Sequence, residues 1–124
     1  MFFFDGPQIP KAWSTLDSDD KLHDLLAQSH TTPQIIFKHS TRCSRSHFAM
    51  ERLSSDEKMA SLPEIHYLDL IQFRSTSNAV SDKLNITHQS PQILVVHNGK
   101  CTYSVSHEAI DPVKILDKLE VLNA

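Results

Sequence analysis

Two cysteines stand in this chain of 124 residues, Cys43 and Cys101. Cys43 is the one set among residues that could change its chemistry: Ser40, Thr41 and Arg42 precede it, and Ser44, Arg45 and Ser46 follow. A short apolar run, Gln34-Ile35-Ile36-Phe37, lies just upstream, and helical spacing begins just downstream. A thiol at that junction faces unpaired backbone N–H groups and the positive end of the helix dipole. Both favour thiolate over thiol. Arg42 adds an adjacent positive charge, and Arg45, His39 and His47 could add more. Such a thiol ionises below the ~8.5 of a free Cys, toward the ~3.5–7.5 seen at comparable sites. The chemistry on offer is attack of a sulfur anion on a disulfide. Polar neighbours on both sides argue against a cysteine that merely packs.

The motif reads Cys43-Ser44-Arg45-Ser46. A dithiol redox protein would carry its second Cys where Ser46 stands. Without it, a mixed disulfide on Cys43 has no local resolving thiol, and an external thiol must release it. Ser46 keeps the shape and places a hydroxyl near the sulfur. Cys101 reads as an ordinary core-facing thiol. It lies only two residues past the Asn98-Gly99 turn, which sits at the far end of a strand opened by Pro91, roughly 20 Å or more from Cys43 at ~3.3 Å per residue.

Ser90-Pro91 introduces that strand. Proline opening a central strand is unusual, and a cis bond here would present the Ser90 backbone to an extended peptide or thiol. His107 ends the last strand at the same end of the sheet, where it could hold charge or donate a proton near Cys43. Eight histidines invite a metal reading. His39, Cys43 and His47 are spaced by four, but His39 belongs to a strand end, so the three share no helix face. No C-x-x-C pair exists, and the expectation is no metal.

Regular elements must hold these residues. Asp17 or Ser18 can cap a helix whose Leu22, Leu25, Leu26 and Ser29 face a core. Strands are expected over Ala12–Leu16, Gln34–Phe37, Ile65–Ile71 and Gln92–His97. Helices are expected over Ser44–Leu53, with Phe48, Ala49 and Leu53 inward, and over Ser77–Leu84, with Ala79, Val80 and Leu84 inward. Asn85 stands where a helix end needs a left-handed residue. Asn98-Gly99 signals a hairpin, returning through a strand with Cys101, Tyr103 and Val105 on one face. Asp111-Pro112 opens a final helix with the stripe Ile110, Val113, Leu116, Leu119 and Leu122. A single domain spanning 1–124 is expected, with residues 1–12 as its irregular N-terminal arm.

The order is strand–helix repeated three times, then a hairpin and a helix. Crossover helices demand parallel strands, and the hairpin adds antiparallel ones. The expected architecture is α/β and thioredoxin-like: a mixed central sheet with helices on both faces. Composition sets outer limits. Twelve basic against fifteen acidic residues give a formal charge of −3, without the basic excess that nucleic-acid binding relies on. No run approaches the ~20 apolar residues of a membrane helix. The apolar start, Met1 to Phe4, is too brief for a signal peptide, so the expected compartment is the cytoplasm, with reduced thiols.

Phe37-Lys38-His39-Ser40-Thr41-Arg42-Cys43, Ser46, His88-Gln89-Ser90-Pro91-Gln92 and Ser106-His107 together resemble the YtxJ family of thioredoxin-like proteins, the monothiol bacilliredoxins. The resemblance runs from about Trp13 to Leu122. It implies a cis Pro91 opposite Cys43, with Cys43 as nucleophile and Ser90 and Pro91 shaping the thiol-binding face. It also implies removal of bacillithiol, a small thiol, from mixed disulfides on cytosolic proteins. The partners would be S-thiolated proteins, the small thiol as co-substrate, and a regenerating thiol or reductase, with no bound cofactor. Ser44-Arg45 departs from the residues common after the family's Cys. Arg45 favours an anionic partner, which suits the malate carboxylates of bacillithiol. Phe37 stands where some thioredoxin relatives carry a buried acid.

Two other readings share these residues. A monothiol glutaredoxin-like iron–sulfur carrier would use Cys-Gly-Phe-Ser, and Ser44-Arg45 counts against it. A non-enzymatic sensor or adaptor would take a thiol cap on Cys43 and change a partner's binding.

Overall fold

The computed structural model describes residues 9–56 and 65–123. The apolar start and most of the expected arm, residues 1–8, lie outside the described residues. Residues 9–12 hold no helix or strand, and Trp13 N–H closes a turn on the Pro10 carbonyl at 3.0 Å.

In chain order the elements are β1 (Ser14–Thr15), α1 (Asp19–Gln28), β2 (Gln34–His39), α2 (Ser44–Ser55), β3 (Ile65–Asp69), α3 (Arg74–Leu84), β4 (Gln92–His97), β5 (Lys100–Ser106), a 3₁₀ turn (His107–Ala109) and α4 (Pro112–Asn123). The five strands form one sheet in the order β1-β3-β2-β4-β5. β1 and β2 run parallel to β3, whereas β4 runs antiparallel to β2 and β5 antiparallel to β4. This is the mixed sheet of the thioredoxin fold, and β2 lies at its centre.

Alternation along the strands sends side chains to two cores. Ile35 and Phe37, with Ile65, Tyr67, Ile93 and Val95, pack under α2 and α4. Ile36, Leu68, Leu94 and Val96 pack under α1 and α3. Every residue of β2 is buried, as expected of a central strand covered on both faces.

The caps follow local chemistry. Ser18 accepts the Lys21 N–H at 3.2 Å and opens α1, with Asp19 and Asp20 in its first turn. Asn85 ends α3 in the left-handed region, at φ 52°. Asn98 and Gly99, at φ 54° and 75°, make the tight turn between β4 and β5. Asp111 Oδ1 accepts the Val113 N–H at 3.0 Å, with Pro112 in the first turn of α4.

Several expected boundaries and faces differ. β2 runs past Phe37 to His39, because Lys38 finds buried acceptors on α3. β3 stops at Asp69, whose Oδ1 accepts the N–H groups of Ile71 and Gln72 and turns the chain. α3 therefore starts early, at Arg74. α2 runs through Ser54 and Ser55, whose hydroxyls bond back to the Glu51 carbonyl without breaking the helix. Its buried stripe is Ser46, Ala49, Met50 and Leu53, which leaves Phe48 on the outside, 57% exposed. In α4 the stripe uses Ile115 rather than Val113, which is 49% exposed.

β5 carries a further correction. Val95 faces Tyr103 while Val96 faces Cys101, so Thr102 is an extra residue that bulges the strand. The bulge breaks the alternation. Tyr103 and Val105 pack with the α2–α4 core, and Cys101 packs with the α1–α3 core.

Candidate functional site

β2 delivers the chain to the candidate nucleophile. Beyond its last residue, His39, the backbone turns at Ser40, whose carbonyl accepts the Cys43 N–H at 3.2 Å. The Ser40 hydroxyl also accepts the Arg42 N–H at 3.3 Å. Thr41 and Arg42 are exposed at the tip of this turn. Cys43 is extended, at φ −119° and ψ 122°, and is the N-cap of α2. Its own carbonyl already accepts the His47 N–H at 3.1 Å.

That position explains the acidity of the sulfur. The Cys43 thiol is lowered from its ordinary value, first by the backbone N–H of Ser46. The Arg45 N–H, the Ser46 hydroxyl and the Arg45 charge lower it further, against an opposing desolvation effect. The two amides belong to the second and third helical residues, the donors an N-cap side chain normally satisfies. The Cys43 side chain makes no capping hydrogen bond, and these amides favour its thiolate form. Arg45 supplies the cationic contribution, and it sits on the helix rather than in the preceding turn with Arg42.

Ser46 is fully buried beneath the sulfur. Its oxygen accepts the Ser40 N–H at 3.3 Å and lies 3.4 Å from the Ser90 hydroxyl. Either hydroxyl can donate in that contact, and when Ser90 does, the Ser46 proton is free to point at Cys43. Ser90 precedes Pro91 through a cis peptide bond, which brings the loop before β4 against the start of α2.

His107 joins this region through its main chain. It adopts φ 55°, its N–H donates to the Pro91 carbonyl at 3.0 Å, and its carbonyl accepts from Arg52 Nη2 at 2.9 Å. The predicted residues Cys43, Arg45, Ser46, Ser90, Pro91 and His107 are thus linked by contacts at one end of the sheet. Cys101 stands at the other end. It pairs with Val96, which pairs with Gln34 at the start of β2. The length of β2 sets it roughly 16 Å or more from the level of Cys43. Burial pushes the Cys101 thiol up, and its S–H donates to the Tyr103 carbonyl at 3.4 Å.

Residues 14–115 match the description monothiol bacilliredoxin BrxC. The chain belongs to that family. Among solved structures, this bacilliredoxin is similar to a protein with a thioredoxin fold at 25% identity and a TM-score of 0.75, covering 88% of this chain and 94% of the other. It also resembles the Malassezia sympodialis thioredoxin Mala s 13, at 15% identity and TM-score 0.67 over 98% and 100% of the two chains. The Fasciola hepatica thioredoxin matches at 14% identity and TM-score 0.65 over 87% and 97%. Thiol redox chemistry on a thioredoxin scaffold is the function class of this bacilliredoxin.

The candidate site has supports that periodicity does not reveal. Lys38 is fully buried, and its ammonium bonds the Ser77 carbonyl at 3.0 Å, Ser81 Oγ at 2.9 Å and His88 Nδ1 at 3.1 Å. Burial lowers it to about 8. The His88 contact ties the Pro91 loop to the sheet and requires a neutral ring, which the lowered His88 pKa favours. Gln92 secures the same loop, accepting the Gln89 N–H at 3.3 Å and donating to the Thr87 carbonyl at 3.1 Å. Arg52 and Glu108 brace the turn after β5, through the His107 and Ile110 carbonyls and through Arg45 respectively. Their partners lie more than fifty residues away in sequence.

His39 is 2% exposed, with Nδ1 unpaired. Burial lowers it to about 4, so it is neutral at pH 7. Among the described residues, no three His, Cys, Asp or Glu side chains gather as a metal site. No helix of the described residues is long and apolar enough to cross a membrane.

Proposed function

We propose that Cys43 is the nucleophile of a monothiol thiol–disulfide oxidoreductase that removes bacillithiol from protein mixed disulfides in the cytoplasm. The observation that carries the reading is the placement of Cys43 as the N-cap of α2, with the Ser46 and Arg45 amides lowering its pKa and a hydroxyl where a second thiol would stand. The Cys43 thiolate attacks the bacillithiol sulfur of the mixed disulfide. The old S–S bond breaks, the protein leaves as a thiolate and takes a proton from water, and Cys43 holds bacillithiol. A second small thiol, as its thiolate, or a dithiol reductase then attacks that adduct and frees Cys43.

Each neighbour has a role in this reading. Ser90 and Pro91 form the wall along which the disulfide lies, and Ser46 stabilises Cys43 both as attacking and as departing thiolate. Arg45 attracts carboxylates. Thr41 and Arg42 form the exposed lip of the turn, and His107 fixes the Pro91 carbonyl. The distance to Cys101 favours an external resolving thiol.

The test follows the masses of the reduced protein and of a substrate protein carrying bacillithiol. Transfer to Cys43, faster than from a glutathione-capped substrate and absent in Cys43→Ala, is the expected result. A Cys43 that reacts with an alkylating agent yet takes no bacillithiol would overturn the reading and turn attention to the iron–sulfur carrier and sensor roles.

A further inference from the structure

We propose that Glu108 is a specificity-determining residue, which occupies the guanidinium of Arg45 in the resting protein and yields it to the carboxylate of an incoming acidic thiol or disulfide. The inference rests on Cys43 being the nucleophile.

Arg45 lies two residues after Cys43, and its charge and that of the thiolate act on one another. It is therefore placed to meet whatever the sulfur attacks. In this structure its fork is already filled. Nε donates to Glu108 Oε2 at 3.1 Å and Nη2 to Oε1 at 2.7 Å, the two-pronged geometry a guanidinium makes with any carboxylate.

The backbone that presents Glu108 is fixed. His107 N–H holds the Pro91 carbonyl, the Ile110 N–H closes on the His107 carbonyl, and Arg52 clamps the His107 and Ile110 carbonyls. The side chain is not fixed in the same way, since Arg45 and Glu108 are 53% and 71% exposed. An exposed ion pair adds little to stability, so one carboxylate can replace another at little cost. Displacement needs a side-chain rotation and no movement of the turn.

The arrangement sorts partners by charge. With Glu108 in place, the Arg45–Glu108 pair presents no net charge, and neutral or cationic disulfides meet no obstacle. An acidic disulfide must displace Glu108 and pass its charge. Removing the Glu108 charge frees the cation and favours acidic partners selectively.

The experiment measures exchange of Cys43 with three small disulfides: anionic dithiodipropionate, neutral bis(2-hydroxyethyl) disulfide and cationic cystamine. The readout is the ratio of the anionic to the neutral rate. A general change in Cys43 reactivity cancels in that ratio. Glu108→Gln is expected to raise it about two- to five-fold, the scale of an exposed charge pair, with the gain shrinking in high salt. In an Arg45→Gln background the same change should have no effect on the ratio. An unchanged ratio in Glu108→Gln, or a gain that persists without Arg45, would overturn the proposal while leaving Cys43 as nucleophile. Failure of the wild type to exchange with any of the three would overturn both.

Discussion

The Ser46 hydroxyl lies 3.4 Å from the Ser90 hydroxyl, joining the first turn of the Cys43 helix to the residue before the cis proline. The same oxygen accepts the Ser40 N–H, so three separate stretches of chain meet on one buried atom. The residue that replaces a second thiol is thus part of the frame that holds the site.

Replacing that residue tests the frame directly. Ser46→Ala leaves the Ser40 N–H without its acceptor, which costs about 1–3 kcal/mol of stability for a buried donor. It also removes one donor from the sulfur, so the Cys43 pKa moves up. Ser46→Cys should bring a second thiol to the same helix turn and allow an internal disulfide. Mass analysis would show two hydrogens lost on oxidation, and thiol titration a matching drop. A variant that stays fully reduced under oxidant would contradict this placement.

The two native thiols should separate by reactivity. Cys43 is lowered by helix N–H groups, and Cys101 is raised by burial. With a limiting amount of iodoacetamide near pH 7, peptide mapping is expected to find the label on Cys43. The rate of its labelling should begin to fall at a lower pH than for a free cysteine. Arg45→Gln should move that midpoint upward.

His39 gives the fold a dependence on acid. Its folded pKa of about 4 lies below the 6.5 of an exposed imidazole, so between these values the unfolded chain binds the extra proton. Stability is therefore complete above about pH 6.5 and is lost progressively as pH falls from there to about 4, by up to ~3 kcal/mol from this residue, and levels off below. Urea midpoints taken from pH 7 to pH 4 should fall less steeply in His39→Phe, which keeps the ring against Phe37 and Tyr67. Equal slopes in the two proteins would remove His39 as the cause.

Arg52 should matter to the site through the His107 and Ile110 carbonyls rather than through the sulfur. Arg52→Gln removes charge-assisted bonds to the His107 and Ile110 carbonyls, with an expected loss of about 1.5–3 kcal/mol. Lys in its place makes no planar fork and should restore little. Thermal melts of both variants, beside hydrogen exchange at Ile110, would read the effect.

Most of the scaffold is legible in the chain, because periodicity and caps are local properties. The β2–α2 junction at Cys43, the Asn98-Gly99 turn, Asn85 and the Asp111-Pro112 start all stand where the residues indicate. The ends of β3 and α2 are set by local side-chain bonds at Asp69, Ser54 and Ser55, whereas the other misreadings come from a tertiary partner that outweighs a local pattern. Lys38 looks like the end of a strand, but its acceptors at Ser77, Ser81 and His88 let the strand continue. Phe48 looks like core, yet polar Ser46 holds the buried stripe because its partners come from outside the helix. Arg45 reads as a free cation, since nothing near it in sequence announces Glu108. Cys101 changes faces on one extra residue, and alternation read along a single strand cannot show a bulge that only the partner strand defines.

That extra residue has a consequence for how copies of the chain behave beside one another. Among the described residues β5 has β4 on one side only, so its outer groups face away from the sheet. A straight, flat strand of seven residues in that position would be a template for another chain to add to. The bulge at Thr102 bends and twists the ladder partway along, and Lys100 sets an exposed charge just before it. A neighbouring strand can keep register with one half of β5 or the other, but not with both. The kink that turns Cys101 inward thereby also guards this edge against aggregation.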